Sequence, residues 1–259
     1  MPKFAANLTL MFTEVPFLDR FAAARAAGFD AVECQFPYAH PADEIRARLD
    51  EHNLQLVLMN MPGGDWATGE RGLACDPRRD QEFRASVQLA VDYATRLGVT
   101  LLHCLAGVVP PGMDLRRARE TYLFNVDYAA RLCAPRGIRV LIEPLNTEDV
   151  PGYFLSRTEQ ALDVLAAVAN PNLSLQYDVY HMHRMGEDVV ATLRRAAPQI
   201  RHVQMADAPG RHEPGTGDID YAGVFRLLDE LQYDGWVGCE YIPLSGTVAG
   251  LEWRTALAA

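Results

Sequence analysis

Short apolar runs alternate along the chain with longer stretches in which apolar residues recur every third or fourth position. The short runs are KFAANLTL (3–10), FDAVECQF (29–36), LQLVLMNM (54–61), VTLLHCLAG (99–107), IRVLIEP (138–144), LSLQYDV (173–179), IRHVQMAD (200–207) and GWVGCEY (235–241), and they predict eight strands. Between them the helical period predicts a helix over 13–28, capped by Thr13, carrying Leu18, Phe21 and Ala22 on one face and stopped by Gly28. Further helices are expected over 41–53, opened by Pro41, and over Arg79–Leu97. Leu115, Ala118, Tyr122, Val126, Ala129 and Cys133 form a core-facing stripe on the next. A capping box of Ser156 and Glu159 opens a helix over 156–170, and two more cover Glu187–Ala196 and 221–232.

Strict β–α alternation implies parallel strands joined by right-handed crossovers. Eight such units in 259 residues predict an α/β fold of one domain, residues 1–259, a single (β/α)8 TIM barrel. A doubly wound open sheet is the rival, but the phosphate fingerprint G-x-G-x-x-G is missing after the first strand.

Charge and composition narrow the function. A net charge of −10 and a pI near 5.2 disfavour nucleic acid or an anionic membrane as partner. Five scattered cysteines without a C-x-x-C pair read as reduced thiols, and no apolar run reaches the length of a membrane helix. MPKFAANLTL has no leader signature, so a cytoplasmic protein is expected.

The chemistry collects where barrels keep it, at the C-terminal strand ends. Late strands end in Glu143, Asp178, Gln204 and Glu240: three carboxylates and one amide oxygen aimed at one rim. Like charges that close cannot all ionise unaided. Oxygen donors of this kind suit one divalent cation, Mg2+ or Mn2+, with Co2+ as a third candidate. Strand alternation then turns Cys239, Ile142, Tyr177 and Val203 toward the helix layer.

At this point the chain resembles the hydroxypyruvate isomerase family, within the xylose-isomerase-like TIM barrels. The resemblance is carried by FAANLTLMF (4–12), NMPGGDWATGERGLA (60–74), IEPLN (142–146), LQYDVYHM (175–182), HVQMAD (202–207), RHEPGTGDIDY (211–221) and YDGWVGCEY (233–241). It implies that Glu143, Asp178, Gln204 and Glu240 hold the metal and that Glu143 and Glu240 are also the acid/base pair. It implies isomerisation of a small hydroxy-carbonyl compound, hydroxypyruvate to tartronate semialdehyde, through an enediolate. In related ketose epimerases the Gln204 position is often histidine, which favours the hydroxypyruvate isomerase branch. Members tend to carry EYKP after the last strand where this chain has Ile242, which opens the substrate to a ketose (3-epimerase) or a 2-oxo-tetronate. An abasic-site endonuclease on the same barrel would need more histidines and a basic groove, and a non-catalytic sugar-acid-binding barrel is the remaining alternative. Barrels of this group are often homo-oligomers.

Other residues complete the expected mouth. In related epimerases the histidine of D-x-x-H, here His181, contacts a substrate oxygen; a solvated loop histidine is the alternative. Arg211 and Arg71, on loops after the seventh and third strands, are candidates to clamp a substrate carboxylate, Arg71 being equally readable as a surface ion pair. Asn7, His103 and Glu70 are candidates to line the mouth. Trp66, in a glycine-rich loop, reads as part of a lid or as a packing anchor.

Overall fold

The eight apolar runs become eight parallel strands: β1 (Lys3–Asn7), β2 (Ala31–Cys34), β3 (Gln55–Asn60), β4 (Leu101–His103), β5 (Arg139–Ile142), β6 (Leu173–Asp178), β7 (Ile200–Met205) and β8 (Trp236–Cys239). Each pairs with the next, and β8 closes on β1 to complete the barrel. The computed structural model describes residues 2–257. Met1, Ala258 and Ala259, the outermost positions of the expected domain, lie outside the described residues.

Helices α1 (Arg20–Ala26), α2 (Ala42–Glu51), α3 (Asp80–Leu97), α4 (Leu115–Cys133), α5 (Thr158–Val168), α6 (Val179–Arg184), α7 (Val189–Ala196), α8 (Tyr221–Glu230) and α9 (Trp253–Ala256) complete the fold. Three expectations about them are corrected. Among the described residues Thr13 caps no helix: Pro16 disfavours helix at the residue before it, so a 3-10 turn at Phe17–Asp19 leads into α1, whose buried residues are Phe21 and Ala24 while Ala22 is exposed. Leu115 is 66% exposed, because as the first residue of α4 it projects past the end of the core; the rest of its stripe is buried. At α5 it is Gln160, not Glu159, that reaches back, its Oε1 accepting from the backbone N–H of Ser156 (2.9 Å) and Arg157 (3.1 Å). Glu159 pairs with Arg195 instead.

Strand alternation sorts side chains into two environments. Ile142, Tyr177, Val203 and Cys239 pack in the main apolar cluster between strands and helices. A small cluster of Ala5, Ala31, Val57, Leu58 and Leu141 fills the inside of the barrel. Two residues along, on the same inward face, Asn7, Glu33, Asn60 and Glu143 replace apolar side chains near the C-terminal rim. All five cysteines are free and buried, and burial pushes the Cys34, Cys75 and Cys133 thiols up to about 12. Among the described residues no helix is long and apolar enough to cross a membrane.

The loop after β3 is clamped against the loop after β4 by a close approach that requires glycine. Gly72 has φ +125°, and a Cβ there would meet Leu105 O and Gly107 N at 2.6 Å. Its N–H donates to Gly63 O (2.8 Å), and Cys75 N–H donates to Ala106 O (2.8 Å).

Candidate active site

Glu143 follows β5, Asp178 ends β6, Gln204 lies in β7 and Glu240 follows β8, and all four are buried. One ligating atom from each of Glu143, Asp178, Glu240 and His181 lies within 4.8 Å of the others. At that spacing two ionised carboxylates repel by at least about 3 kcal/mol at an effective dielectric of about 20. Burial raises the Glu143 carboxyl well above its ordinary range, reinforced by Glu240 and Asp178. Asp178 is pushed up to about 7, by burial and then by Glu240. Burial also raises Glu240, opposed by Arg211.

Two oxygens of the cluster have no hydrogen-bond partner among the described residues: Glu143 Oε1 and Asp178 Oδ2. The other Asp178 oxygen is satisfied, accepting from the N–H of Tyr180 (2.7 Å) and His181 (3.2 Å) and so capping α6. Buried acceptors without donors are costly, and two converging from adjacent strands suit an oxygen-ligated divalent cation. The three acids fit such an ion, and Gln204 stands beside them, paired in register with Asp178.

Glu240 is the most supported of the acids. Its Oε2 accepts from Arg211 (2.7 Å), and its Oε1 from Gln35 Nε2 (2.9 Å) and Asn7 Nδ2 (3.4 Å). Arg211 also approaches Asp149 (4.0 Å) and lies over the Tyr180 ring (5.2 Å), while its buried Nε has no partner among the described residues.

His181 is buried on α6 and is no solvated loop residue. Its Nδ1 faces the backbone N–H of Asn146 (3.3 Å) and the Asn146 side-chain Nδ2 (2.7 Å). A backbone N–H can only donate, so Nδ1 is the acceptor and the neutral ring carries its hydrogen on Nε2. Burial lowers its pKa well below the ordinary value, helped by Arg211 and His103. Nε2–H, 3.8 Å from Asp178 Oδ2, therefore presents a donor to the cluster.

His103 ends β4 with Nδ1 3.3 Å from Glu143 Oε2. Burial, with His202, drives its pKa down to about 3, so it meets the carboxyl as a neutral ring. Asn7 joins the site through Glu240. Glu70 and Arg71 have no hydrogen bond or ion pair to the cluster among the described residues. Glu70 pairs with Arg79 and accepts from Asp65 N–H (2.6 Å), stapling its own loop. Arg71 lies 4.0 Å from the Trp66 ring centroid and donates to Trp66 O (3.1 Å) and Glu70 O (2.7 Å). Trp66, 40% exposed, leans on Phe36 at 5.0 Å.

The strand-end reading passed over Glu33, Gln35, Asn146, Gln176 and His202. Glu33, Gln176 and His202 are polar residues inside apolar strands, and Gln35 lies in the apolar run 29–36, a visible signal; Asn146 lies in a loop and carries none.

A closed parallel barrel with acids converging at its C-terminal rim defines a class of protein: the sequence profile of the xylose isomerase-like TIM barrel family matches residues 21–257, and the chain belongs to that family. Within it, the chain is 49% identical to a 2-oxo-tetronate isomerase of Cupriavidus necator (98% of this chain, 97% of the relative). It is 44% identical to a hydroxypyruvate isomerase of Escherichia coli, over 98% of each. A crystal structure described as an AP endonuclease, family 2, from Brucella melitensis superposes with a TM-score of 0.96 at 46% identity, covering 99% of both chains.

Proposed function

We propose that this protein is a divalent-metal-dependent isomerase of a small 2-oxo acid bearing a hydroxyl beside its carbonyl, with hydroxypyruvate as substrate and tartronate semialdehyde as product. The carrying observation is the buried trio Glu143, Asp178 and Glu240, whose oxygens converge within 4.8 Å and in part lack donors. Full-length similarity to relatives named as isomerases supports it. A 2-oxo-tetronate is the second reading, favoured by the 49% identical relative and by Ile242, which stands 50% exposed after β8.

When bound, the cation would supply Lewis acidity, acidifying the C–H beside the carbonyl and neutralising the acids. The surroundings divide the two glutamates. Donors from Arg211, Gln35 and Asn7 hold Glu240 as a carboxylate, the form that accepts a proton. The ion would be held by Glu143, Asp178, Gln204 and Glu240, and of the two glutamates Glu143, whose Oε2 lies 3.3 Å from His103 Nδ1, is the one that gives a proton back. In the forward direction Glu240 takes the C3 proton and the freed electron pair forms the C2=C3 bond of the enediolate. As that bond forms, the C2 carbonyl pair moves onto its oxygen; Glu143 then returns a proton to C2 while the C3 hydroxyl proton passes to the C2 oxygen, leaving an aldehyde at C3 and a hydroxyl at C2. His181 Nε2–H donates to a substrate oxygen, and the free N–H groups of Arg211 receive the substrate carboxylate.

NMR in D2O, with Mn2+ or EDTA and a panel of hydroxypyruvate, 2-oxo-tetronates and free ketoses, tests this. Glu143→Gln and Glu240→Gln each lower turnover about 10²–10⁴-fold, the usual weight of a positioned acid or base. Deuterium still enters C3 of hydroxypyruvate with Glu143→Gln and does not with Glu240→Gln. Wild-type turnover in both variants would overturn the proposal. Turnover confined to the four-carbon acid would establish the second reading.

A further inference from the structure

Below the strand-end acids a second buried carboxylate, Glu33 on β2, has no part in the chemistry above. It is fully buried inside the barrel. Its Oε1 accepts from Gln204 Nε2 (2.8 Å) and Asn7 Nδ2 (2.9 Å), and its Oε2 lies 2.6 Å from His202 Nε2. The barrel is shaped around it. Ala5 and Ala31 keep the neighbouring inward positions small, and a Cβ on Gly238 would meet the Glu33 carboxylate at 2.2 Å. Among the described residues, the strand ladders shift register beside Glu33 and beside Gln176, and such shifts re-aim side chains near active sites.

The feature this arrangement controls is the face of an amide. Rotated by half a turn, Gln204 would present either an oxygen lone pair or an NH2 to the rim, and only the oxygen can ligate a cation. A carboxylate accepts and never donates, so the Gln204 NH2 must face Glu33 and its Oε1 must face away. There, among the described residues, Oε1 receives one hydrogen bond, from Gln176 Nε2 (2.5 Å), which leaves its second lone pair for an ion.

We propose that Glu33 is a positioning residue, whose carboxylate locks the Gln204 amide with its oxygen toward the metal-holding rim. The inference rests on the cation-binding reading above. The two are separable: native protein that takes up no Mn2+ sinks that reading, whereas native protein that binds while Glu33→Gln binds equally sinks only this one.

Mn2+ titration followed by the electron paramagnetic resonance of the free ion tests it, with circular dichroism confirming the fold. Glu33→Gln raises the Mn2+ Kd 10–100-fold, the usual cost of removing the partner of a ligand. A rise below tenfold in the folded variant overturns the proposal. The exchange variant, Glu33→Gln with Gln204→Glu, reverses donor and acceptor while keeping the hydrogen bond and the total charge. It binds Mn2+ within about tenfold of native, a recovery that general damage to the barrel would not give. A folded exchange variant that stays weaker than this overturns the proposal, and should Glu33→Gln not fold, the exchange variant alone decides.

Discussion

His181 meets the acid cluster with a nitrogen whose hydrogen is fixed by its other side, since Asn146 N–H occupies Nδ1. On the reading proposed above it donates to substrate and leaves the cation to the acids and Gln204. His181→Ala is expected to lower kcat/KM about 10²–10³-fold, as loss of one oriented donor does elsewhere, with the Mn2+ Kd changed less than threefold. A 10–100-fold loss of Mn2+ affinity, measured by titration, would instead make it a ligand. The rim acids were legible residue by residue because each closes an apolar run, as Glu143 closes Val140–Ile142 and Glu240 closes Val237–Cys239. Glu33 was equally visible inside Ala31–Cys34, but only the tertiary fold shows that its three donors come from β1 and β7.

Elements at the mouth are tied by side chains far apart in sequence. Thr247, in the segment after β8, donates its N–H (2.7 Å) and Oγ1–H (3.1 Å) to Glu14, and its Oγ1 accepts from Phe12 N–H (2.7 Å). These donors, the Thr247 N–H first, hold the Glu14 carboxyl below its ordinary value of 4.5. A depressed carboxyl pKa contributes stability in full above the unfolded value and loses it as pH falls through the folded one. Glu14 is exposed, so the amount is modest: Glu14→Gln should cost about 0.5–1 kcal/mol at pH 7 and less at pH 3.5, read from urea midpoints. An equal cost at both would show that the charge is irrelevant. Element identity was legible because the apolar periods differ so clearly, whereas helix starts were not. Pro16 delays α1, Gln160 takes the capping role from Glu159, and the single-turn-and-a-half α6 is too short to show a period.

The whole molecule carries a net charge of −10, yet concentrates buried acid at one rim. That distribution suits capture of a cation followed by a small anion better than the tracking of a phosphate backbone. Barrel closure was legible from the count of strands alone, since eight β–α units return the chain to its start. The inner network was not, because inward polar residues on β1, β2, β6 and β7 become neighbours only once the sheet has closed.

Everything proposed for this chain turns on four side chains from consecutive barrel strands gripping one ion. Anomalous diffraction from a crystal soaked in Mn2+ tests this most directly. A single strong peak enclosed by Glu143, Asp178, Gln204 and Glu240 is the predicted result; a peak bound elsewhere, or none among these residues at saturating Mn2+, would contradict it.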